Sequence, residues 1–274
     1  MVTQAAELLS VLKQEREGRP DLAKTLDLHI ALIAARAEVA PGVSPEWFER
    51  ARARLVRGEP ALSLDDLEVD WERVARHAET VCQIAGSHER EHSEALAQIA
   101  SRLTRAAEDA DAIQALTARC LTDRSADRNP DHGLLAFVLN QALHPFLQSY
   151  AAAAAPLLKE IRWDHRLCPV CGCPPDFAAL EDEVGERRLL CSLCDAEWQY
   201  RRVGCPFCGN EDSRSLGYFP TDKGPYRLYV CERCKGYLKT VDFRETWLRR
   251  PLPVERILTV GLDVSAAGLG YGRC

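Results

Sequence analysis

The 274-residue sequence has a single methionine, and aromatic side chains make up only 7% of it. No apolar run approaches the roughly 20 residues that a membrane-spanning helix requires. The opening MVTQAAELLSVLKQERE turns charged before a signal-like hydrophobic block develops. A surplus of positive charge is missing too. A net charge of -6 and a pI near 5.7 argue against a constitutive binder of nucleic acid or of anionic membrane. Neither a phosphate-cradling glycine loop nor a Ser/His/Asp arrangement stands out, so no catalytic residue is assigned. These absences predict a cytoplasmic, non-enzymatic globular protein, long enough for one large domain or two ordinary ones.

Cysteine, by contrast, is plentiful at twelve residues, eight of which fall in CxxC pairs. In a small exported chain such a count would suggest disulfides; in a larger chain without an export signal, the pairing points to metal. The pairs form a repeat: CPVCG at 168–172 followed by CSLC at 191–194, then CPFCG at 205–209 followed by CERC at 231–234. In a CPxCG turn, proline stiffens the backbone and glycine permits a positive φ, so that amides can point at the sulfurs. Two such half-sites brought together by a hairpin supply four sulfurs in a tetrahedron, which suits zinc or a single iron equally. Sequential pairing assigns one site to Cys168, Cys171, Cys191 and Cys194, and another to Cys205, Cys208, Cys231 and Cys234. The alternative joins Cys191/Cys194 to Cys205/Cys208, which strands the outer pairs. Cys82, Cys120, Cys173 and Cys274 show no spacing pattern and read as buried or incidental thiols.

The cysteine pattern divides the chain. Residues 1–161 read as an all-α domain, residues 162–250 as a double CxxC module with repeats 162–203 and 204–250, and residues 251–274 as a tail with one short helix. In the helical part, Leu22, Leu26, Ile30 and Ile33 recur at spacings of three and four, in a helix ending near Pro41-Gly42. Ser44-Pro45-Glu46 is a helix start. Two further helices run over 70–85 and 89–117, broken at Gly86-Ser87. Leu135, Leu139, Ala142, Phe146 and Tyr150 line one face of a last helix that Pro145 should kink or break. Beyond residue 162, alternating runs such as YRLYVC predict strands. The fold class is therefore α+β, with an all-α helical domain followed by a tandem rubredoxin-like or zinc-ribbon module carrying two four-cysteine metal sites.

Other motifs carry less. His88-Glu89-Arg90-Glu91-His92 matches HExxH, but its middle positions are charged and no third ligand is near, so it reads as an exposed helical turn. His165 lies close to Cys168, yet four sulfurs are already available. Arg187-Arg188 and Arg201-Arg202 read as solvated strand edges. Residues 161–250 contain fifteen Lys/Arg against fourteen Asp/Glu. Two four-thiolate sites around divalent ions would add about -2 each, which disfavours a nucleic-acid-binding ribbon.

The order of these features resembles the formate dehydrogenase accessory protein FdhE family. CPVCG, then LLCSLCDAEWQYRRVGCPFCGN, then the aromatic approach to CERCKGYLKTVD carry the resemblance, and LxCxxCxxEWxxxRxxCxxC from Leu189 to Cys208 is its most specific part. The helical half and RILTVGLD also look like that family. The resemblance implies a cytoplasmic maturation factor that binds the catalytic subunit of respiratory formate dehydrogenase before or around export. It also implies rubredoxin-like iron sites on the eight CxxC cysteines, with zinc as the alternative metal. A redox role for such iron and a nucleic-acid-binding zinc ribbon are the rival functions, and homo-oligomerisation stays open. Cys173, an extra thiol after the first turn, departs from the pattern, as does the end at Cys274, where a somewhat longer tail is expected. Trp198, Tyr200, Phe207, Tyr218 and Tyr237 are candidates for packing or partner contact.

Overall fold

The computed structural model describes the chain apart from residues 1, 38, 40–41, 64–66, 68, 110–112, 118–129, 182–184, 223 and 273–274. For residues 2–4 and 130–132 it describes the backbone only. Cys120 and Cys274 lie outside the described residues. Two compact units result: residues 1–43 with 62–150, and residues 44–61 with 151–274.

The first unit is helical. It holds α1 (Val2–Gly18), α2 (Ala23–Ala37), α4 (Trp71–His88) and α5 (Ser93–Ala106), and takes in α6 (Pro130–Glu160) as far as Tyr150; α3 (Pro45–Val56) belongs to the second unit. The Asp70 carboxylate caps α4 by accepting from the Arg73 amide at 3.0 Å. Helices α4 and α5 bury one face each, including Val74, Ala78, Val81, Leu96 and Leu103. The break between them falls at Glu89, not at Gly86-Ser87. Gly86 stays helical, Ser87 satisfies the freed Ile84 carbonyl with its hydroxyl, and a 3-10 turn follows over Arg90–His92. His88 and His92 therefore do not share a helix, which removes the geometry HExxH needs.

The expected break at Pro145 is also overturned. Helix α6 runs unbroken through both Pro145 and Pro156. An internal proline costs about 3 kcal/mol. Leu139, Ala142, Leu143, Phe146 and Leu147 are all buried around Pro145, and apolar burial at about 1.5–3 kcal/mol per large side chain outweighs that cost.

The second unit is built on one six-stranded sheet, comprising β1 (Pro175–Glu181), β2 (Glu186–Cys191), β3 (Glu197–Tyr200), β4 (Leu216–Pro220), β5 (Tyr226–Cys231) and β6 (Tyr237–Asp242). Their order is β3-β2-β1-β6-β5-β4. Each sequence repeat makes one antiparallel three-stranded meander, and the two join along a parallel seam with Phe177 opposite Lys239 and Leu180 opposite Asp242. Because the seam is parallel, both meanders point the same way. The starts of β1 and β4 and the ends of β2 and β5 therefore line up along one end of the sheet, where every CxxC pair falls.

One sheet face is apolar and covered by the C-terminal segment. Phe177, Ala179, Leu190 and Val241 pack with Phe243 and with Leu252 of α7 (Leu252–Leu258). Leu228, Val230 and Tyr237 pack with Ala266 of α8 (Val260–Gly268). The tail thus forms two helices where one was expected, divided at Thr259, whose backbone (φ -109°, ψ 23°) leaves helical geometry. Lys239 is buried on this face, its ammonium donating to Asp263 at 2.8 Å and to the Arg256 carbonyl at 3.0 Å. No helix among the described residues is long and apolar enough to cross a membrane.

Candidate metal centres

The knuckles are four copies of one backbone device. The amide of each leading cysteine donates five residues ahead: Cys168 to the Cys173 carbonyl, Cys191 to Ala196, Cys205 to Asn210 and Cys231 to Gly236, at 2.8–3.0 Å. Such a tight ring needs a residue of positive φ after the second cysteine. Gly172 (φ 74°) and Gly209 (φ 70°) supply it in the CPxCG turns, as their sequence predicts. In the other two turns Asp195 and Lys235 take the same conformation, each at φ 57°. Nothing in CSLCD or CERCK announces this; only alignment with the glycine-bearing copies does.

This geometry gathers the sulfurs. Cys168, Cys171, Cys191 and Cys194 form one group and Cys205, Cys208, Cys231 and Cys234 the other, with all ligand atoms of a group within 4.8 Å of one another. Cys191 and Cys194 meet the first CPxCG turn, not the second. Sulfur separations are 3.6 Å for Cys168–Cys194, 3.4 Å for Cys171–Cys191, 3.7 Å for Cys205–Cys234 and 3.8 Å for Cys208–Cys231. A disulfide needs about 2.05 Å, whereas the edge of a tetrahedron with metal–sulfur bonds of about 2.3 Å is about 3.8 Å. The residues fit a four-thiolate metal ion. Amide donors complete the fit: Val170 N–H points at the Cys168 sulfur at 3.3 Å, Leu193 N–H at Cys191 at 3.4 Å, and the Asn210 side-chain amide at Cys231 at 3.7 Å.

The electrostatics ask for a cation. Hydrogen bonding with Cys168 and neighbouring thiols raises the Cys171 pKa, and burial raises Cys194. Against its own burial, Cys168 is held well below the ordinary thiol range by hydrogen bonds from its partners. In the second group burial pushes Cys205 up to about 11 and Cys234 higher still. Cys231, with burial opposing, is drawn down to about 7 by the amides of Cys234 and Arg233. Each group thus contains one readily ionised thiol beside others that resist, since crowded thiolates repel. A positive ion lets all four ionise together.

The two groups differ in enclosure. All four cysteines of the first are buried, whereas Cys208 and Cys234 of the second are partly exposed. Arg256 of α7 braces the first, donating to Asp195 at 2.8 Å, to Asp176 at 3.4 Å and to the Cys191 carbonyl at 3.3 Å. The second has a surface pair in the same place, Lys235 with Glu232.

Other candidate residues separate cleanly. His165 joins neither group; its ring stacks on Trp163 with centroids 4.6 Å apart. Cys82 is buried on α4, where burial pushes its thiol up to about 11. Cys173 is partly exposed and takes the position that Asn210 holds in the second repeat. Trp198, Tyr200, Phe207 and Tyr237 are buried, leaving Tyr218 as the exposed member of that set. Two features escaped sequence reasoning. Trp247 is fully exposed, with no periodicity to mark it, and Arg187 is buried rather than a solvated edge.

A family profile described as FdhE, central domain, matches residues 167–202, the first knuckle pair and its hairpin. A protein named as an FdhE homolog from Aquifex aeolicus is 28% identical over 254 residues, covering 91% of this chain and 83% of that protein. The chain is thus similar to FdhE proteins over most of its length. FdhE homologs from Shewanella sp. (strain MR-4) and Pseudomonas aeruginosa are each 35% identical, over 108 and 117 residues; the matches span 39% of this chain and only 35% and 37% of theirs. The crystal structure of the FdhE protein from Pseudomonas aeruginosa superposes with a TM-score of 0.70, covering 100% of this chain and 94% of that one at 24% identity. At that identity the likeness shows the fold, which this chain shares along its length.

Proposed function

We infer that this chain is a non-catalytic accessory protein that binds the catalytic subunit of formate dehydrogenase during its maturation in the cytoplasm, with Cys168, Cys171, Cys191, Cys194, Cys205, Cys208, Cys231 and Cys234 as the ligands of two metal ions. The observation that carries this reading is the pair of closed sulfur tetrads in a chain similar to FdhE proteins. Four protein thiolates fill a tetrahedral ion, so neither centre keeps an open position for substrate or water. Metal here stiffens a platform, and the helical part (1–161), the module (162–250) and the tail (251–274) act together as a gripping surface. Iron follows from the family resemblance and zinc is the alternative. Elemental analysis and an absorption spectrum of anaerobically purified protein separate them, since ferric tetrathiolate is coloured and bleaches on reduction.

The binding role is tested by capture of the formate dehydrogenase catalytic subunit. Trp247, fully exposed beside the half-exposed Leu248, offers the kind of aromatic anchor that interfaces use. Trp247→Ala is expected to weaken capture at least ten-fold with both metals retained. Undiminished capture by a Cys231→Ala chain that has lost its second metal would contradict the platform role. The partial exposure of Cys208 and Cys234 favours one second reading, electron transfer at the second centre. It requires iron there and a reversible one-electron couple, whereas zinc is redox-silent.

A further inference from the structure

The sheet face opposite α7 and α8 carries a buried guanidinium, Arg187, that faces Tyr229, Tyr200 and Cys205 and that no carboxylate among the described residues answers. By register, Arg187, Leu180, Asp242, Tyr200, Arg227, Tyr229 and Tyr218 all lie on this face. The crossover from β3 to the second knuckle passes over it. Between that crossover and strands β4 and β5 lies a cavity of about 280 Å³. Its walls are largely apolar and aromatic, with Phe207, Tyr218 and Tyr229 among them, and three arginines line it: Arg187, Arg202 and Arg227. Among the described residues no Asp or Glu lines it.

The three arginines are not equivalent. Arg227 is engaged by Asp242 at 2.7 Å and by Glu245. Arg202 is exposed at the rim. Arg187 is only 4% exposed, and no carboxylate among the described residues pairs with it. Its Nη1 donates to the Gly204 carbonyl at 2.9 Å, its guanidinium lies 5.2 Å from the Tyr229 ring centre, and its Nε has no hydrogen-bond partner. A buried, permanently charged group with an idle donor is costly, and such groups are normally paired. The second tetrad is nearby, since Cys205 and Cys231 also line the cavity, but the Arg187 hydrogen bond goes to a carbonyl and to none of the sulfurs.

We propose that this cavity is a binding site for a small organic carboxylate carried on an apolar or aromatic body, with Arg187 as its anion receptor. A guanidinium presents donors in a planar fork that matches a carboxylate. One unpaired buried charge calls for a monoanion, and apolar walls disfavour a phosphate dianion. Tyr218, Tyr229 and Phe207 form the walls for the body of the ligand. The site does not depend on the client reading above.

The test is calorimetric titration of the full, metal-loaded chain with benzoate and with its neutral isostere benzamide. Benzoate is expected to bind and benzamide not to. Arg187→Met should lower benzoate affinity at least ten-fold with both metals retained, and Val203→Glu, at a 57% exposed position lining the cavity, should lower it without any burden on folding. Titration with N-acetylphenylalanine distinguishes a free acid from a peptide C-terminus: tighter binding of benzoate supports the former and tighter binding of the peptide mimic the latter, each on the same site. Absence of benzoate binding, equal binding of benzamide, or affinity unchanged in Arg187→Met or in Val203→Glu overturns the proposal. So does loss of the second metal from Arg187→Met, which would make the arginine the counter-charge of the thiolates. Should Arg187→Met not fold, Val203→Glu carries the decision alone.

Discussion

The two repeats of the sheet unit use the same knuckles and the same strand order, yet one is sealed and the other is half open. In the first, all four cysteines are buried, and the αL residue Asp195 is tied to Arg256 of α7. In the second, two cysteines reach solvent, and the αL residue Lys235 makes surface contacts, an ion pair with Glu232 and an ammonium–ring contact with Tyr271. A shared motif fixes the ligand geometry; what packs around it decides how firmly the ligands are held. The first repeat owes its enclosure to α7, which carries Leu252 and the Arg256 brace, and to Pro60, which approaches Gly172. Among the described residues no equivalent cover lies over Gly209.

The largest difference is expected from removing one sulfur in each repeat. Cys191→Ala takes a ligand from the buried set and, with it, metal binding on the order of 10 kcal/mol. That exceeds the whole stability of an ordinary domain at the lower end of about 5–15 kcal/mol. Cys191→Ala should therefore yield no soluble folded protein. Cys231→Ala should unfold the second meander while keeping one metal per chain, measured by elemental analysis. Equal metal loss in both variants would show the repeats to be energetically equivalent.

Chelation sharpens the contrast without mutation. Partly exposed Cys208 and Cys234 give a competing ligand a direct approach, whereas the first tetrad opens only with its surrounding core. Release of two metals to a chelator should be biphasic, with the second site losing its ion at least ten-fold faster. A Cys231→Ala chain should show only the slow phase.

Next in size comes the brace. Arg256→Met removes the guanidinium that faces the Asp195 carboxylate, 3% exposed, and the same group's contact with Asp176. Breaking a buried pair from one side costs about 3–5 kcal/mol. The Lys235→Ala change removes only a surface contact and is expected to leave the melting temperature where it was. A calorimetric scan of both variants reads the difference directly.

Much of this architecture is legible in the sequence because it is local. The CxxC spacing fixes the knuckles, the CPxCG glycines mark two of the four αL positions, and the repeat makes the sequential grouping of sulfurs the economical one. Helix periodicity identifies Leu135, Leu139, Ala142, Phe146 and Tyr150, all of them buried. What stays hidden is set at a distance. Pro145 sits inside a helix because a buried face outweighs a local penalty. Asp195 and Lys235 adopt αL because ring closure around a sulfur requires it; aspartate tolerates that conformation better than most residues, whereas lysine has no intrinsic claim to it. Arg187 looks like one half of an exposed Arg-Arg pair until the crossover from β3 closes over it. The parallel seam joining β1 to β6 pairs strands far apart in the chain, and no turn signal announces it.

The smallest effect isolates cover from conformation. Gly172 and Gly209 occupy equivalent positions with φ of 74° and 70°, so an alanine at either pays about 1–2 kcal/mol for the left-handed backbone. Their surroundings differ. A Cβ at Gly172 would meet Pro60 Cγ at 3.1 Å, while one at Gly209 would find nothing within 4 Å. Proline is a stiff neighbour and cannot swing aside as a long flexible side chain does, so Gly172→Ala adds a steric cost that Gly209→Ala escapes. Gly172→Ala should therefore lower the denaturant midpoint further than Gly209→Ala, and trimming Pro60 to alanine in the same chain should erase the excess. If the two alanines cost the same, the enclosure of the first repeat resides in α7 and the Arg256 brace, and the segment after α3 adds nothing to it.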